Sequence, residues 1–120
     1  MGMVRLILHA RNVRSTTDWY RRAGAEDRGQ TLMFLGVEFA VRDIAVRGGS
    51  TQWTGELPTV LVVQVEDPEA TAAKLERDGV GVFDHRPGSV WGIERAGDDG
   101  WFEIVDPDGQ RWQFEDDRRV

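Results

Sequence analysis

The side chains best suited to chemistry are few and scattered along the chain. There is no cysteine, which excludes disulfides, thiolate metal sites and a cysteine nucleophile. There are two histidines, His9 and His85, and neither belongs to an H-x-H or H-E-x-x-H pattern. General acid–base work could fall to His9, Glu94 or Glu103, although no spacing between them marks a catalytic set. His85 lies in a predicted loop, where we expect it to be exposed.

Length and charge limit the classes of protein to consider. The 120 residues predict one domain, 1–120, large enough to bury a core without disulfides. A net charge of −6 disfavours binding to a phosphate backbone, so no nucleic-acid partner is expected. The apolar stretch near the N-terminus is too short to span a membrane and lacks the cleavage region of a signal peptide. A soluble cytoplasmic protein without a membrane partner is the expectation.

An internal repeat supplies the elements that must position these side chains. A shift of 55 residues places 5–12 on 60–67, and it places Gly24 on Gly79. Each copy begins with a strand and continues into a helix, with Asn12 or Ser15 as a cap in the first copy and Asp67 followed by Pro68 in the second. Gly24 and Gly79 suit the left-handed position after a helix.

Each helix is predicted to be followed by three more strands. The spacing predicts initial strands at Val4–Ala10 and Thr59–Val65 and helices at Val13–Ala23 and Pro68–Asp78. The later strands are predicted at Thr31–Leu35, Val37–Val46, Ser50–Thr54, Val80–Asp84, Trp101–Val105 and Gln110–Glu115. The chain therefore reads as an α+β fold of two β-α-β-β-β modules, about 4–54 and 59–115. Each sheet has one face under its helix and one open face, and two such sheets could curl into a cup with the helices outside.

Four pieces of sequence, taken together with the repeat, carry a family resemblance. They are Tyr20 to Gly24 at the first helix end, Val65 to Ala70 (VEDPEA), Val90-Trp91-Gly92, and Phe102 to Gly109 (FEIVDPDG). The chain resembles the glyoxalase / bleomycin resistance protein / extradiol dioxygenase superfamily, also called the vicinal oxygen chelate superfamily. The resemblance implies paired modules forming a cup and, for a single cup of this size, a homodimer. It also implies a divalent metal in the enzymes of the family, whereas antibiotic-binding relatives often lack one.

The positions that hold the metal ligands in the family can be carried over individually. They fall on Arg5, Val60 and Gln113, with a fourth position near Gln52–Glu56. Arginine is always protonated and valine has no donor atom, so only Gln113 could ligate, through a neutral amide oxygen. Catalytic divalent sites need about three N or O ligands. We therefore predict no metal and no other cofactor.

Side-chain alternation along the strands predicts which residues line the cup. Leu61, Val63, Val65, Trp112 and Phe114 should face the helices, as should Phe102 and Ile104. An inward arginine could bind an anionic ligand. Alternatively, Arg5 could pair with Glu103 or another acid of the cup and only fill space. The predicted ligand-binding residues are Arg5, His9, Trp53, Val60, Val62, Gln64, Trp91, Trp101, Glu103, Arg111 and Gln113.

Two functions follow from these features. The first is a metal-free protein that binds a small molecule, such as an antibiotic or another planar ligand that stacks on tryptophan. The second is a lyase- or dioxygenase-like enzyme of the same fold with an atypical metal site. The first rests on the missing ligands and the available tryptophans, and it is the preferred reading.

Overall fold

The structure, a computed structural model, describes residues 6–43, 60–86 and 100–116. Within these ranges the two modules repeat the same order of elements. The first contains β1 (Leu6–Ala10), α1 (Val13–Arg22), β2 (Glu26–Asp27), β3 (Leu32–Phe34) and β4 (Val37–Asp43). The second contains β5 (Val60–Val65), α2 (Pro68–Arg77), β6 (Phe83–Asp84), β7 (Phe102–Val105) and β8 (Arg111–Asp116). The predicted fold class, α+β with two β-α-β-β-β modules, is confirmed.

Each module forms its own four-stranded mixed sheet. The strand orders are β1-β4-β3-β2 and β5-β8-β7-β6. In both sheets the first strand pairs in parallel with the last, and the remaining pairs are antiparallel. The first strand of each module needs a long connection to reach its parallel partner, and the helix with the two intervening strands supplies it.

The ends of both helices are determined by the residues that the sequence predicted. The side chain of Asn12 accepts a hydrogen bond from the Ser15 N–H, and that of Asp67 accepts one from the Ala70 N–H. Gly24 and Gly79 then follow the helices with φ of 102° and 87°, where a β-carbon would be strained. Both ends carry the same pair of backbone bonds, including Ala25 N–H to Tyr20 C=O and Val80 N–H to Leu75 C=O.

The core of each module lies between its helix and one face of its sheet. Tyr20 of α1 is fully buried and makes edge-to-face contacts with Phe34 and Phe39. In the second module Trp112, Phe114 and Ile104 are completely buried, and Phe102 stacks on Phe114. The predicted assignment of Trp112, Phe114, Phe102 and Ile104 to the helix side is therefore confirmed.

The DPDG turn between β7 and β8 is buried against α1, which turn chemistry alone did not predict. Asp106 and Asp108 are 5% and 2% exposed. Tyr20 Oη donates to Asp106 Oδ2 at 2.6 Å, and Thr16 Oγ1 donates to Asp108 Oδ2. Asp108 Oδ1 also accepts from the Arg11 backbone N–H at 3.0 Å. The turn is therefore fastened to the first helix by hydroxyl–carboxylate bonds.

The same carboxylates also fix the turn internally. Asp106 Oδ1 accepts from the backbone N–H groups of Asp108 and Gln110 at 2.8 and 2.9 Å. Burial raises the pKa of Asp106, while the bonds from Tyr20 and the two N–H groups oppose that rise. The chain divides into two compact units by its internal contacts. One unit comprises Met1–Leu57 together with Asp106–Gln110, and the other comprises Pro58–Val105 together with Arg111–Val120.

Several predicted strand positions need correction. The first sheet contains Glu26–Asp27 as an edge strand that was not predicted, and with it β1, β3 and β4 make up four strands. The last strand of that sheet is therefore β4, whereas Ser50–Thr54 lies outside the described residues. β6 is two residues long rather than five, because Val80 follows α2 directly and is bonded back to it.

Both helices are ten residues long. A helix needs about 20 apolar residues to cross a bilayer. Within the described ranges, no helix reaches the length and hydropathy that a membrane span requires.

Candidate functional site

The strand register of the second module brings most of the predicted site residues onto one surface. Paired residues on neighbouring strands share a face, so Val62, Gln113, Glu103 and Phe83 form a row across the sheet. We call the face opposite α2 the open face. It comprises Val60, Val62, Gln64, Phe83, His85, Trp101, Glu103, Val105, Arg111, Gln113 and Glu115.

Glu103 is the central charged group of the open face. It is only 8% exposed, and its two carboxylate oxygens have different partners. Oε1 accepts from Arg111 Nε at 2.7 Å and lies 2.6 Å from Arg111 Nη2. Oε2 lies 3.4 Å from His85 Nε2. Glu103 therefore forms a close ion pair with Arg111 and a longer contact with His85.

Aromatic and aliphatic side chains surround this charged group. The imidazole of His85 stacks on the indole of Trp101, with ring centres 5.3 Å apart and planes inclined by 22°. Val62 and Phe83 leave 56% and 37% of their surface exposed. An apolar surface with a few placed polar groups is typical of a site for a small organic molecule.

The first module contributes a second, smaller open face. Ile7 pairs with Ala40 and His9 pairs with Arg42, which puts His9 on the face away from α1, as predicted. The shift of 55 residues makes Ile7 equivalent to Val62. Because Ile7 pairs with Ala40 and Val62 pairs with Gln113, Ala40 occupies in the first module the position that Gln113 occupies in the second. From the sequence the matching position near Gln52–Glu56 could not be fixed, and those residues lie outside the described ones.

The residues at the metal-ligand positions of the family do not fit a divalent metal. Ala40 and Val60 have no donor atom, and Gln113 offers a neutral amide oxygen. Within 6–43, 60–86 and 100–116, no three histidine, aspartate or glutamate side chains are grouped closely enough to hold an ion. The donor set of the described residues falls short of the three or so ligands that such a site needs.

The predicted site residues thus divide into three sets. Seven lie together on the open face of the second module: Val60, Val62, Gln64, Trp101, Glu103, Arg111 and Gln113. His9 lies on the sheet of the other module. Arg5, Trp53 and Trp91 lie outside the described residues.

Two further residues of the open face were missed or misread from the sequence. The prediction that His85 is exposed is wrong, because its side chain is 18% exposed and packs between Glu103 and Trp101. Phe83 was included in a predicted strand, but its face was not assigned. Counting alternate residues back from Glu103 across the β6–β7 pair would have placed both on the open face.

The opposite side of the second sheet carries a separate ion-pair network. Arg86 donates to both carboxylate oxygens of Asp84, with Nη2 to Oδ2 at 2.7 Å, and it also donates to Glu69 at 2.6 Å. Its guanidinium lies 4.7 Å from the centre of the Phe102 ring. The hydrogen bonds from Arg86 lower the pKa of Asp84. This network anchors β6 to α2 and faces away from the candidate site.

A groove of about 150 Å³ lies elsewhere, in the first module. It is bordered by Val13, Thr17 and Arg21 of α1 and by the segment around Asp27 and Thr31. The groove is on the helix side of the first sheet, and none of the predicted site residues lines it.

Comparison with known proteins was made by sequence and by structure. No family model matches the chain, and no curated protein matches it. Solved structures do match it over nearly their whole length. A gene product from Arabidopsis thaliana is 22% identical, with 97% of this chain and 99% of that chain covered and a TM-score of 0.63.

Two further matches have descriptive names. A glyoxalase/bleomycin resistance protein/dioxygenase from Alicyclobacillus acidocaldarius is 18% identical, with 99% and 96% coverage and a TM-score of 0.63. A variant of the fosfomycin resistance protein FosX from Listeria monocytogenes, solved with Mn(II) and a dihydroxypropylphosphonic acid, is 14% identical. It covers 96% of this chain and 91% of its own, with a TM-score of 0.65.

These identities are low, and the coverage is nearly complete in both directions. The matches extend over both β-α-β-β-β modules. The resemblance predicted from the sequence is therefore confirmed as a structural one: the chain has the fold of the glyoxalase / bleomycin resistance protein / dioxygenase superfamily.

Proposed function

We propose that the protein binds a planar small molecule on the open face of the second module and does so without a metal. The observation that carries the proposal is the row Val62, Gln113, Glu103 and Phe83, in which two exposed apolar side chains flank two polar ones. Exposed apolar surface of this kind is costly in water and gains free energy when a ligand covers it. The stacked pair His85 and Trp101 adds flat aromatic surface beside the row.

The donor set supports binding without a metal. FosX, whose structure contains Mn(II), has the same fold. In this chain one of the positions that the resemblance assigns to a metal ligand is Val60, which cannot coordinate any ion. We infer that the open face holds its ligand by stacking, burial and hydrogen bonds.

An antibiotic is one ligand that would suit such a surface. FosX is named for resistance to fosfomycin, and another structural neighbour is named in part for resistance to bleomycin. A protein that only sequesters its ligand needs affinity and a stable fold, and it needs no catalytic groups. The open face offers contacts of that type.

Fluorescence titration with a library of planar antibiotics and metabolites tests the proposal. We expect at least one compound to quench tryptophan emission, and we expect Trp101→Ala to weaken its binding about tenfold or more, as for an aromatic contact at the centre of a binding site. Trp19→Ala is the matched control, since Trp19 lies on α1 of the other module. Absence of any quenching ligand, or equal losses in both variants, would contradict the proposal.

Metal analysis provides a second test. We expect the purified protein to contain much less than one divalent ion per chain, and we expect chelator to leave its melting temperature unchanged. A metal that bound only the native state would stabilise it by about 2.7 kcal/mol at a hundredfold excess over its Kd. One tightly held ion per chain would refute the metal-free part of the proposal.

The contact between Glu103 and His85 favours a second candidate function. A carboxylate 3.4 Å from an imidazole can exchange a proton with a bound substrate and with its neighbour. A lyase- or dioxygenase-like enzyme with an atypical metal site is therefore the alternative. Turnover of any ligand found above, abolished by Glu103→Gln with binding retained, would favour the enzyme.

We further propose that the protein is a homodimer. β5 lies at the edge of its sheet and has the apolar sequence VLVVQV. Edge strands of this composition are usually covered by another chain or element. Sedimentation at tens of micromolar protein checks the assembly, and a monomer at that concentration would overturn the proposal.

A further inference from the structure

The positive charge on the open face is already satisfied within the protein. Arg111 approaches Glu103 Oε1 through both Nε, at 2.7 Å, and Nη2, at 2.6 Å. An anionic ligand could reach Arg111 through the N–H groups that Glu103 does not use, but it would then lie beside the carboxylate of Glu103. Displacing Glu103, which is only 8% exposed, would leave that carboxylate buried without its cation, which is a costly arrangement. Arg111 is therefore poorly suited to hold an anion.

The second oxygen of Glu103 is in the opposite situation. A carboxylate can accept about four hydrogen bonds, two on each oxygen. Within the described residues the one group in hydrogen-bonding reach of Oε2 is His85 Nε2, at 3.4 Å. That separation exceeds the usual range of about 2.7–3.2 Å for an N–H donor. Oε2 therefore retains acceptor capacity at the centre of the open face.

Flat and apolar groups stand beside this acceptor. Phe83 pairs directly with Glu103 across β6 and β7, and Val62 lies two strands away in the same row. His85, stacked on Trp101, borders the acceptor itself. A ring lying on this surface can direct a substituent at Oε2 while it covers Phe83 on the adjacent strand.

We propose that Glu103 Oε2 is the acceptor for an N–H group of a planar ligand, so that the open face selects neutral or cationic N–H donors over anions. This inference rests on the proposed function and specifies its ligand: an amidinium, or an amino-substituted aromatic ring. Hydrogen bonds to an ionised acceptor are about twice as strong as neutral ones. Arg111 occupies Oε1, so Oε2 is the oxygen that would accept from the N–H group of the ligand.

Three probes of nearly the same shape test the selection. Benzamidine carries a cationic N–H donor, benzamide a neutral one, and benzoate none. Titration of the full-length protein followed by NMR, with the side-chain signals of Phe83 and Trp101 as reporters, gives a Kd for each at neutral pH. We expect the order benzamidine, benzamide, benzoate, with at least a tenfold difference between the first and the last.

Glu103→Gln and Arg111→Gln, with Glu115→Gln as the control, connect the order of the three Kd values to Oε2. Glu103→Gln should reduce the preference for benzamidine over benzoate about tenfold, and Glu115→Gln, one row away on the same face, should change it much less. Arg111→Gln should strengthen benzamidine binding, because both oxygens of Glu103 then face the ligand. An arginine-centred anion site predicts the reverse, a loss of benzoate binding in Arg111→Gln.

The outcomes separate this inference from the proposed function. Equal or stronger binding of benzoate by the native protein overturns the inference. So does a planar ligand whose affinity is unchanged in Glu103→Gln, and in that case the proposed function still stands. If none of the three probes binds, the inference fails, and if the fluorescence library also yields no ligand the proposed function fails with it.

Discussion

Tyr20 and Asp106 are 86 residues apart in the chain, and their side chains meet at 2.6 Å between Oη and Oδ2. Tyr20 is completely buried on α1, and Asp106 is buried in the turn that joins β7 to β8. One hydroxyl thus satisfies a carboxylate that would otherwise rely on two backbone N–H groups. The bond ties a turn of the second module to the first helix.

Removing this hydroxyl should destabilise the native state without changing the shape of the core. We expect Tyr20→Phe to lower the free energy of unfolding by about 1–3 kcal/mol, because a buried acceptor loses its donor. Thr16→Val should act in the same way through Asp108. Thr17→Val is the control, since Thr17 lies beside Thr16 but is only half-buried. Urea unfolding measures all three, and equal effects at Thr16 and Thr17 would contradict the assignment.

Asp106 and Asp84 should respond to pH with opposite signs. The pKa of Asp106 is raised above its ordinary value of 3.8, so the native state binds more protons than the unfolded state between the two values. The cost of its ionised form is fully present above the folded pKa and disappears as the pH falls to the unfolded pKa. The pKa of Asp84 is lowered by Arg86, so its stabilising effect is present above the unfolded pKa and is lost as the pH falls through the folded pKa.

Comparing the native protein with Asp106→Asn and with Asp84→Asn measures the sign of each pH effect on stability. As the pH is lowered, the native protein should gain stability relative to Asp106→Asn and lose stability relative to Asp84→Asn. Urea unfolding at a series of acidic pH values gives both differences. Profiles with the same slope would show that one of the two environments is wrongly assigned.

Truncating Arg111 should show how much its ion pair with Glu103 contributes to the free energy of unfolding. Arg111→Met leaves a carboxylate that is 8% exposed, with His85 Nε2 at 3.4 Å as a remaining polar neighbour. Because Arg111 itself is 46% exposed and water can replace it in part, we expect a loss of about 1–2 kcal/mol rather than the larger cost of breaking a fully buried pair. Arg28→Met, which removes pairs with the exposed Glu26 and Glu38, should change stability by less than about 1 kcal/mol. Thermal or urea unfolding compares them, and equal costs would argue against a buried role for Glu103.

Trp112 should matter for folding and not for ligand selection. It is 0% exposed on the helix side of β8, so Trp112→Ala should cost about 3–5 kcal/mol of stability. Trp101→Ala, on the open face, should cost less stability and more affinity. Unfolding and ligand titration on the two variants check the contrast, and a stable Trp112→Ala protein with weakened binding would reverse our assignment of the faces.

The local signals in the sequence predicted most of the fold. Asn12, Asp67 and the glycines after each helix identified both helices, because caps and left-handed positions depend on neighbouring residues alone. Alternation assigned the faces of β5, β7 and β8 correctly. The strand Glu26–Asp27 was missed because both of its residues are charged and exposed, so it has no apolar pattern to detect.

The sequence predicted which residues belong to the candidate site, but it did not predict which of their side chains contact one another. Parity placed Glu103, Arg111 and Gln113 on one face, yet the arginine considered as a partner of Glu103 was Arg5 and not Arg111. That choice depends on the register of the β7–β8 hairpin, in which Val105 pairs with Arg111 and brings the guanidinium next to Glu103. The contact between His85 and Glu103 depends in turn on the short strand β6, whose length the sequence overestimated.

The position of the DPDG turn has a consequence for how the repeat can be divided. Although the sequence halves near residue 57, Asp106–Gln110 belongs with the first half by its contacts. A gene fragment that encodes only the first half would leave the hydroxyls of Thr16 and Tyr20 facing an empty position where two carboxylates belong. Such a fragment should need the second half supplied as a separate chain in order to fold.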